Sequence, residues 1–109
     1  MRKRLGQHFL FDPNILKKIV RVSGVTADDT VIEIGPGAGT LTKHLAAQAK
    51  KVIAIEIDRK LAAQLNGRIA GADNVDIISA DALRFPYDTI SGSFRVVSNL
   101  PYYITTPLI

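Results

Sequence analysis

Apolar positions along the chain switch between two spacings, and the switches mark the elements. From Asp12 onward Ile15, Leu16, Ile19 and Val20 recur on one side of a 3.6-residue repeat, which predicts a helix over residues 12–23. Asp12-Pro13 supplies a capping side chain and a first-turn proline, and Gly24 stops the helix. After the turn residues Asp28 and Asp29, the run Thr30–Ile34 is short and β-branched and meets Gly35, Gly37 and Gly39 at once, so a buried strand feeding a tight loop is predicted. A helix over residues 40–49 with Leu41 and Leu45 inward follows, then a second buried strand over 52–57. Asp58 caps a helix carrying Leu61, Ala62, Leu65 and Ile69, and two more strands are predicted near Val75–Ser79 and Phe94–Ser98.

Strands alternating with helices call for a parallel sheet with right-handed crossovers and helices on both faces, a Rossmann-like α/β fold. There is no internal repeat, low-complexity segment or linker. Residues 96–109 contain no charge, and Thr106-Pro107 has the form of a helix cap and first turn two residues before the last one. The chain is therefore expected to be truncated, its sheet stopping after a fourth strand with an uncovered edge and face. The isolated chain is expected to self-associate through that edge or to be marginally folded.

At 109 residues, 47% apolar and 22% charged, the composition is that of one globular domain with roughly enough core to fold unstapled. The absence of cysteine excludes disulfide scaffolds, thiolate metal sites and cysteine nucleophiles, and is consistent with a cytoplasmic location. No apolar run approaches the roughly 18 residues of a membrane helix, and the first residues are too polar for a signal sequence. The net charge of +4 is concentrated at the front: residues 1–21 hold six basic residues against Asp12 alone. Such a leader can serve a polyanion such as nucleic acid, or be a solvated tail.

Glu33-Ile-Gly-Pro-Gly-Ala-Gly39 lies between a predicted strand and a predicted helix, where glycines let backbone approach a ligand. A dinucleotide fingerprint would want glycine or alanine where Thr40 stands, which disfavours a nicotinamide-dependent oxidoreductase and prefers a nucleoside without phosphates. Glu56 ends the second strand 21 residues after Gly35, where a carboxylate can take both hydroxyls of a ribose; the alternative is a strand-end charge in water. Asp81, just past the third strand, can accept from the amine of an adenine or be only a turn residue. Asn99-Leu100-Pro101-Tyr102 ends the fourth strand. An amide oxygen beside a rigid backbone carbonyl can accept both hydrogens of an aromatic amine while a tyrosine ring stacks on a flipped base; the four residues alone could also be a packed turn.

LGQHFL near the start, EIGPGAGTLT, Glu56, SADAL and NLPYYITTPLI, in this order, resemble the rRNA small-subunit adenine dimethyltransferase family (KsgA-like) from about Lys3 to Ile109. The resemblance implies a seven-stranded S-adenosyl-L-methionine-dependent fold that dimethylates two adjacent adenines in small-subunit rRNA of the pre-30S subunit. It implies that residues 1–109 are the N-terminal part of the catalytic domain, with the helical RNA-binding domain outside this chain, so that the chain alone is a poor enzyme. It places Gly35 and Gly37 at the cofactor's methionine end, Glu56 on its ribose and Asp81 on its adenine. Asn99 would face donor methyl and target amine, Tyr102 would stack on the base, and His8 and Leu10 would contact the cofactor. The alternatives are a large-subunit rRNA adenine methyltransferase that confers antibiotic resistance, and a non-catalytic RNA-binding assembly or transcription factor.

Overall fold

A computed structural model describes residues 12–69, 71–90 and 92–98, together with the backbone of 103–105. Its elements are α1 (Pro13–Ser23), β1 (Thr30–Ile34), α2 (Thr40–Gln48), β2 (Lys51–Glu56), α3 (Arg59–Arg68), β3 (Val75–Ser79), a 3-10 turn (Tyr87–Thr89), β4 (Phe94–Ser98) and β5 (Tyr103–Thr105). The predicted caps are present. Asp12 accepts from the Asn14 N–H, Asp58 accepts from those of Lys60 and Leu61, and Gly24 ends α1 at φ 74°. Those groups have no partner inside their own helices, so the sequence locates helix starts better than helix faces. Leu61, one of the apolar residues that the sequence places on this helix, is exposed.

The sheet order is β3-β2-β1-β4-β5, with β1 to β4 parallel and β5 antiparallel to β4. Two crossovers, β1 to β2 and β2 to β3, step in one direction, and their helices α2 and α3 lie over one face, as crossovers of one hand require. Leu16 and Val20 of α1 join Leu41 and Leu45 of α2 there, over Val31, Val52 and Val97. Leu65 and Ile69 lie on Ala54 beside them. The step from β3 to β4 reverses direction and crosses the other face. Here the expectation of helices on both faces meets a different covering among the described residues. Ile32, Ile53, Ile55 and Val96 are covered by residues 80–90, including Ala82, Phe85, Tyr87 and Ile90. Phe85 meets Tyr87 edge to face with ring centroids 5.1 Å apart, and Tyr87 stacks on Phe94 at 5.9 Å.

The sheet also does not stop at four strands. Ser98 pairs with Tyr103 and Val96 with Thr105, so the edge of β4 expected to be open carries β5. Three residues within the five between Pro101 and Pro107 give too short a period to read as a strand; pairing with β4 makes them one. No described helix is long and apolar enough to cross a membrane.

Candidate cofactor site

The chain reverses its stepping direction between β1 and β4, and in open α/β sheets ligands bind beside the carboxyl ends of the strands at such a point. Gly35 leaves β1 and donates its N–H to the Ile55 carbonyl of β2 at 3.0 Å, which carries the β1–β2 ladder up to the start of the loop. Gly37 and Gly39 follow at φ 58° and 85°. At Gly39 a side chain is excluded twice, by the left-handed backbone and because a Cβ would collide with Leu65 of α3. Gly39 is also the N-cap of α2 and brings no capping side chain, and the first turn of α2 holds no acid. That end of the helix keeps donors and positive potential for an anionic group.

Glu56, the last residue of β2, is only 6% exposed. Its Oε2 accepts the Asp58 N–H at 3.1 Å and its Oε1 accepts the Gly37 N–H at 3.4 Å. Its carbonyl accepts the Ala80 N–H, just past β3, at 3.1 Å. The Glu56 carboxylate thus joins the glycine loop to the start of α3, and its backbone carbonyl holds the end of β3. A carboxylate has about four acceptor positions, so capacity for two hydroxyls remains. Asp81 lies at the same end of the sheet. Its Oδ1 accepts the Leu83 N–H at 2.9 Å and its Oδ2 is 4.0 Å from the Arg84 guanidinium, so it is a turn residue in this structure. Its side chain is 40% exposed, which leaves oxygen surface for a ligand. Beside it Tyr87 donates to the Ala82 carbonyl at 2.6 Å; burial, and then the charge of Asp81, hold its hydroxyl above the usual range.

The structure therefore brings together Gly35, Gly37, Glu56 and Asp81. His8, Leu10, Asn99 and Tyr102 lie outside the described residues; β4 ends at Ser98, opposite Ile34 of β1. Two residues that the sequence pattern did not single out also bear on the site. Ile57, expected inside the second strand, comes after its end and is 69% exposed, an apolar surface next to the Glu56 carboxylate. Glu33 is fully buried two residues before the loop, with Oε1 accepting from the Thr42 hydroxyl of α2 and Oε2 without a partner among the described residues. Burial pushes its carboxyl up to about 7 against the opposing pull of that hydroxyl. The available signal was a charge inside the apolar run Val-Ile-Glu-Ile.

The family described as ribosomal RNA adenine dimethylase matches residues 1–109. The ribosomal RNA small subunit methyltransferase A of Moorella thermoacetica is 50% identical over 119 aligned residues, which cover 99% of this chain and 41% of that protein. That of Geobacillus thermodenitrificans is 49% identical, with 99% and 39% covered. The chain thus spans about two fifths of the length of the curated relatives it matches. Among solved structures, the 23S rRNA methyltransferase ErmE superposes with a TM-score of 0.73 at 33% identity over 80% of this chain and 35% of that one. A dimethyladenosine transferase from Plasmodium falciparum superposes at 0.68 with 33% identity, over 83% and 32%. The fold is the Rossmann-like one of S-adenosylmethionine-dependent methyltransferases, and the chain belongs to the ribosomal RNA adenine dimethylase family.

Proposed function

We propose that residues 1–109 form the first part of the catalytic domain of an S-adenosylmethionine-dependent enzyme. Its reaction is dimethylation of the exocyclic amine of two adjacent adenines in small-subunit rRNA, on the pre-30S particle in the cytoplasm. The observation that carries this reading is Glu56, buried at the carboxyl end of β2 and tied to the glycine loop, with acceptor capacity left for a ribose.

The residues fit the cofactor. Gly35 and Gly37 give backbone access, the uncapped first turn of α2 suits the carboxylate of an amino acid, Glu56 takes the ribose, and Asp81 with Ile57 serves the adenine. When bound, S-adenosylmethionine supplies an electrophilic methyl on sulfur. His8 and Leu10 are assigned from the sequence as further cofactor contacts. Asn99, directly after β4, is assigned to accept from the target amine and so direct the nitrogen lone pair outward, with Tyr102 stacking on the base. No strong base is needed, because the amine loses its proton to water as the new bond forms.

The 50% identity to a small subunit methyltransferase supports the small subunit, against 33% to the large-subunit enzyme ErmE, which keeps the second reading in view. Purified small and large ribosomal subunits treated with labelled S-adenosylmethionine and the full-length protein separate the two. Label is expected in the small subunit, and Asn99→Ala is expected to lower turnover by about 10²-fold or more while RNA binding persists. Label confined to the large subunit would overturn the substrate assignment, and equal loss of turnover and RNA binding would favour a binding module.

A further inference from the structure

A second feature lies away from the strand ends that form the cofactor site. α1 and α2 diverge over a cleft of about 500 Å³, floored by Val20 and Val25 and rimmed by Lys17, Arg21, His44 and Gln48. No acid lines it. All ten acids of the chain are among the described residues, and none forms an ion pair with Lys17 or Arg21. The nearest in sequence are Asp12, which caps the start of α1, and Asp28 and Asp29, of which Asp29 is engaged by Arg95 at 3.3 Å. Fixed burial holds the rim in place: Leu16 and Val20 of α1 are buried against Leu41 and Leu45 of α2, which sets the spacing of the two rows. His44 donates from Nδ1 to the Thr40 carbonyl at 3.0 Å, which pins its ring within the cleft wall.

Two unpaired cations on one helix, facing amide and imidazole groups on the next, match a run of phosphodiester oxygens. They do not match a small apolar ligand, which would want a closed pocket, or an acidic cofactor already served at the strand ends. We infer that the α1–α2 cleft is a contact for the phosphodiester backbone of RNA, distinct from the cofactor site and positioning the nucleic acid without reading its sequence. Lys17 and Arg21 supply the charge, and Gln48 and His44 supply neutral hydrogen bonds to phosphate or 2′-hydroxyl. The choice of RNA among polyanions rests on the substrate reading above.

The test is the salt dependence of binding. A labelled 20-base-pair RNA duplex is titrated with the intact protein, with Lys17→Ala/Arg21→Ala, and with Lys50→Ala/Arg68→Ala, which removes the same charge from exposed positions outside the cleft. Loss of two phosphate contacts is expected to weaken binding roughly tenfold at 0.1 M salt and to flatten the plot of log affinity against log salt by about 2 units. The Lys50/Arg68 pair is expected to leave the slope nearly unchanged. Thermal melting verifies folding, and affinity for S-adenosylhomocysteine, measured on the same variants, is expected to be unaffected by the cleft pair. Equal effects of the two pairs, or an unchanged slope in the cleft pair, would overturn the inference. So would loss of polyglutamate binding with RNA binding intact, which would assign the cleft to an acidic protein segment. Failure of the S-adenosylhomocysteine measurement in every variant would instead strike the cofactor reading.

Discussion

Glu33 carries a carboxyl into the most buried stretch of β1, and its consequence is a pH dependence with a definite sign. Folding raises its pKa from 4.5 to about 7, so between those values the folded chain holds a proton that the unfolded chain has released. Stability is then complete below pH 4.5 and falls as pH rises through about 7, by a few kcal/mol in all. Glu33→Gln keeps an acceptor for Thr42 and removes the titration. Chemical denaturation from pH 5 to pH 8 is expected to show this slope in the parent and not in the variant, with Glu33→Gln the more stable at pH 8; parallel slopes would show that Glu33 is not the group responsible. Neighbouring residues differ in how far the sequence reveals them. Glu56 could be found because its distance from the glycine loop is fixed by the length of one helical crossover. The hold it exerts on the loop could not, since the Gly37 amide reaches it only once β1 and β2 are side by side.

At the scale of elements, the glycine loop and α3 constrain each other. Gly39 places its Cα against Leu65, and the same residue starts α2, so the loop, two helices and the end of β1 share one close approach. Gly67, inside α3, has an ordinary backbone, and a Cβ there would meet nothing within 4 Å. Gly39→Ala is therefore expected to cost about 2–4 kcal/mol, from left-handed strain together with overpacking. Gly67→Ala is expected to gain up to about 1 kcal/mol from helix propensity. Thermal unfolding ranks the two, at roughly 4–8 °C per kcal/mol for a domain of this size; a Gly39→Ala protein as stable as the parent would show that the loop does not need its glycine. Both glycines read alike in sequence as residues near helix ends. What separates them is the arrival of α3 beneath the loop, a contact between residues 26 positions apart. β5 escaped the sequence for a related reason: its identity as a strand resides in β4.

For the whole molecule, the order β3-β2-β1-β4-β5 decides where chemistry can occur. Strand positions and cap residues were legible because each rests on local pattern. The face that each crossover covers was not, because it depends on the direction of the next step in the sheet. That reversal leaves the carboxyl ends of β1 and β4 side by side, next to Glu56 and Asp81, and residues 99–102 follow β4 from this point. The most direct measurement is calorimetric titration of the protein and of Glu56→Ala with S-adenosylhomocysteine and, in parallel, with NAD. Thr40 in place of a third glycine predicts that S-adenosylhomocysteine binds more tightly than NAD, and a ribose held by Glu56 predicts that Glu56→Ala weakens it by at least roughly tenfold, the loss of a charge-assisted pair of hydrogen bonds. Tighter binding of NAD, or equal affinity of a folded Glu56→Ala protein for S-adenosylhomocysteine, would contradict it.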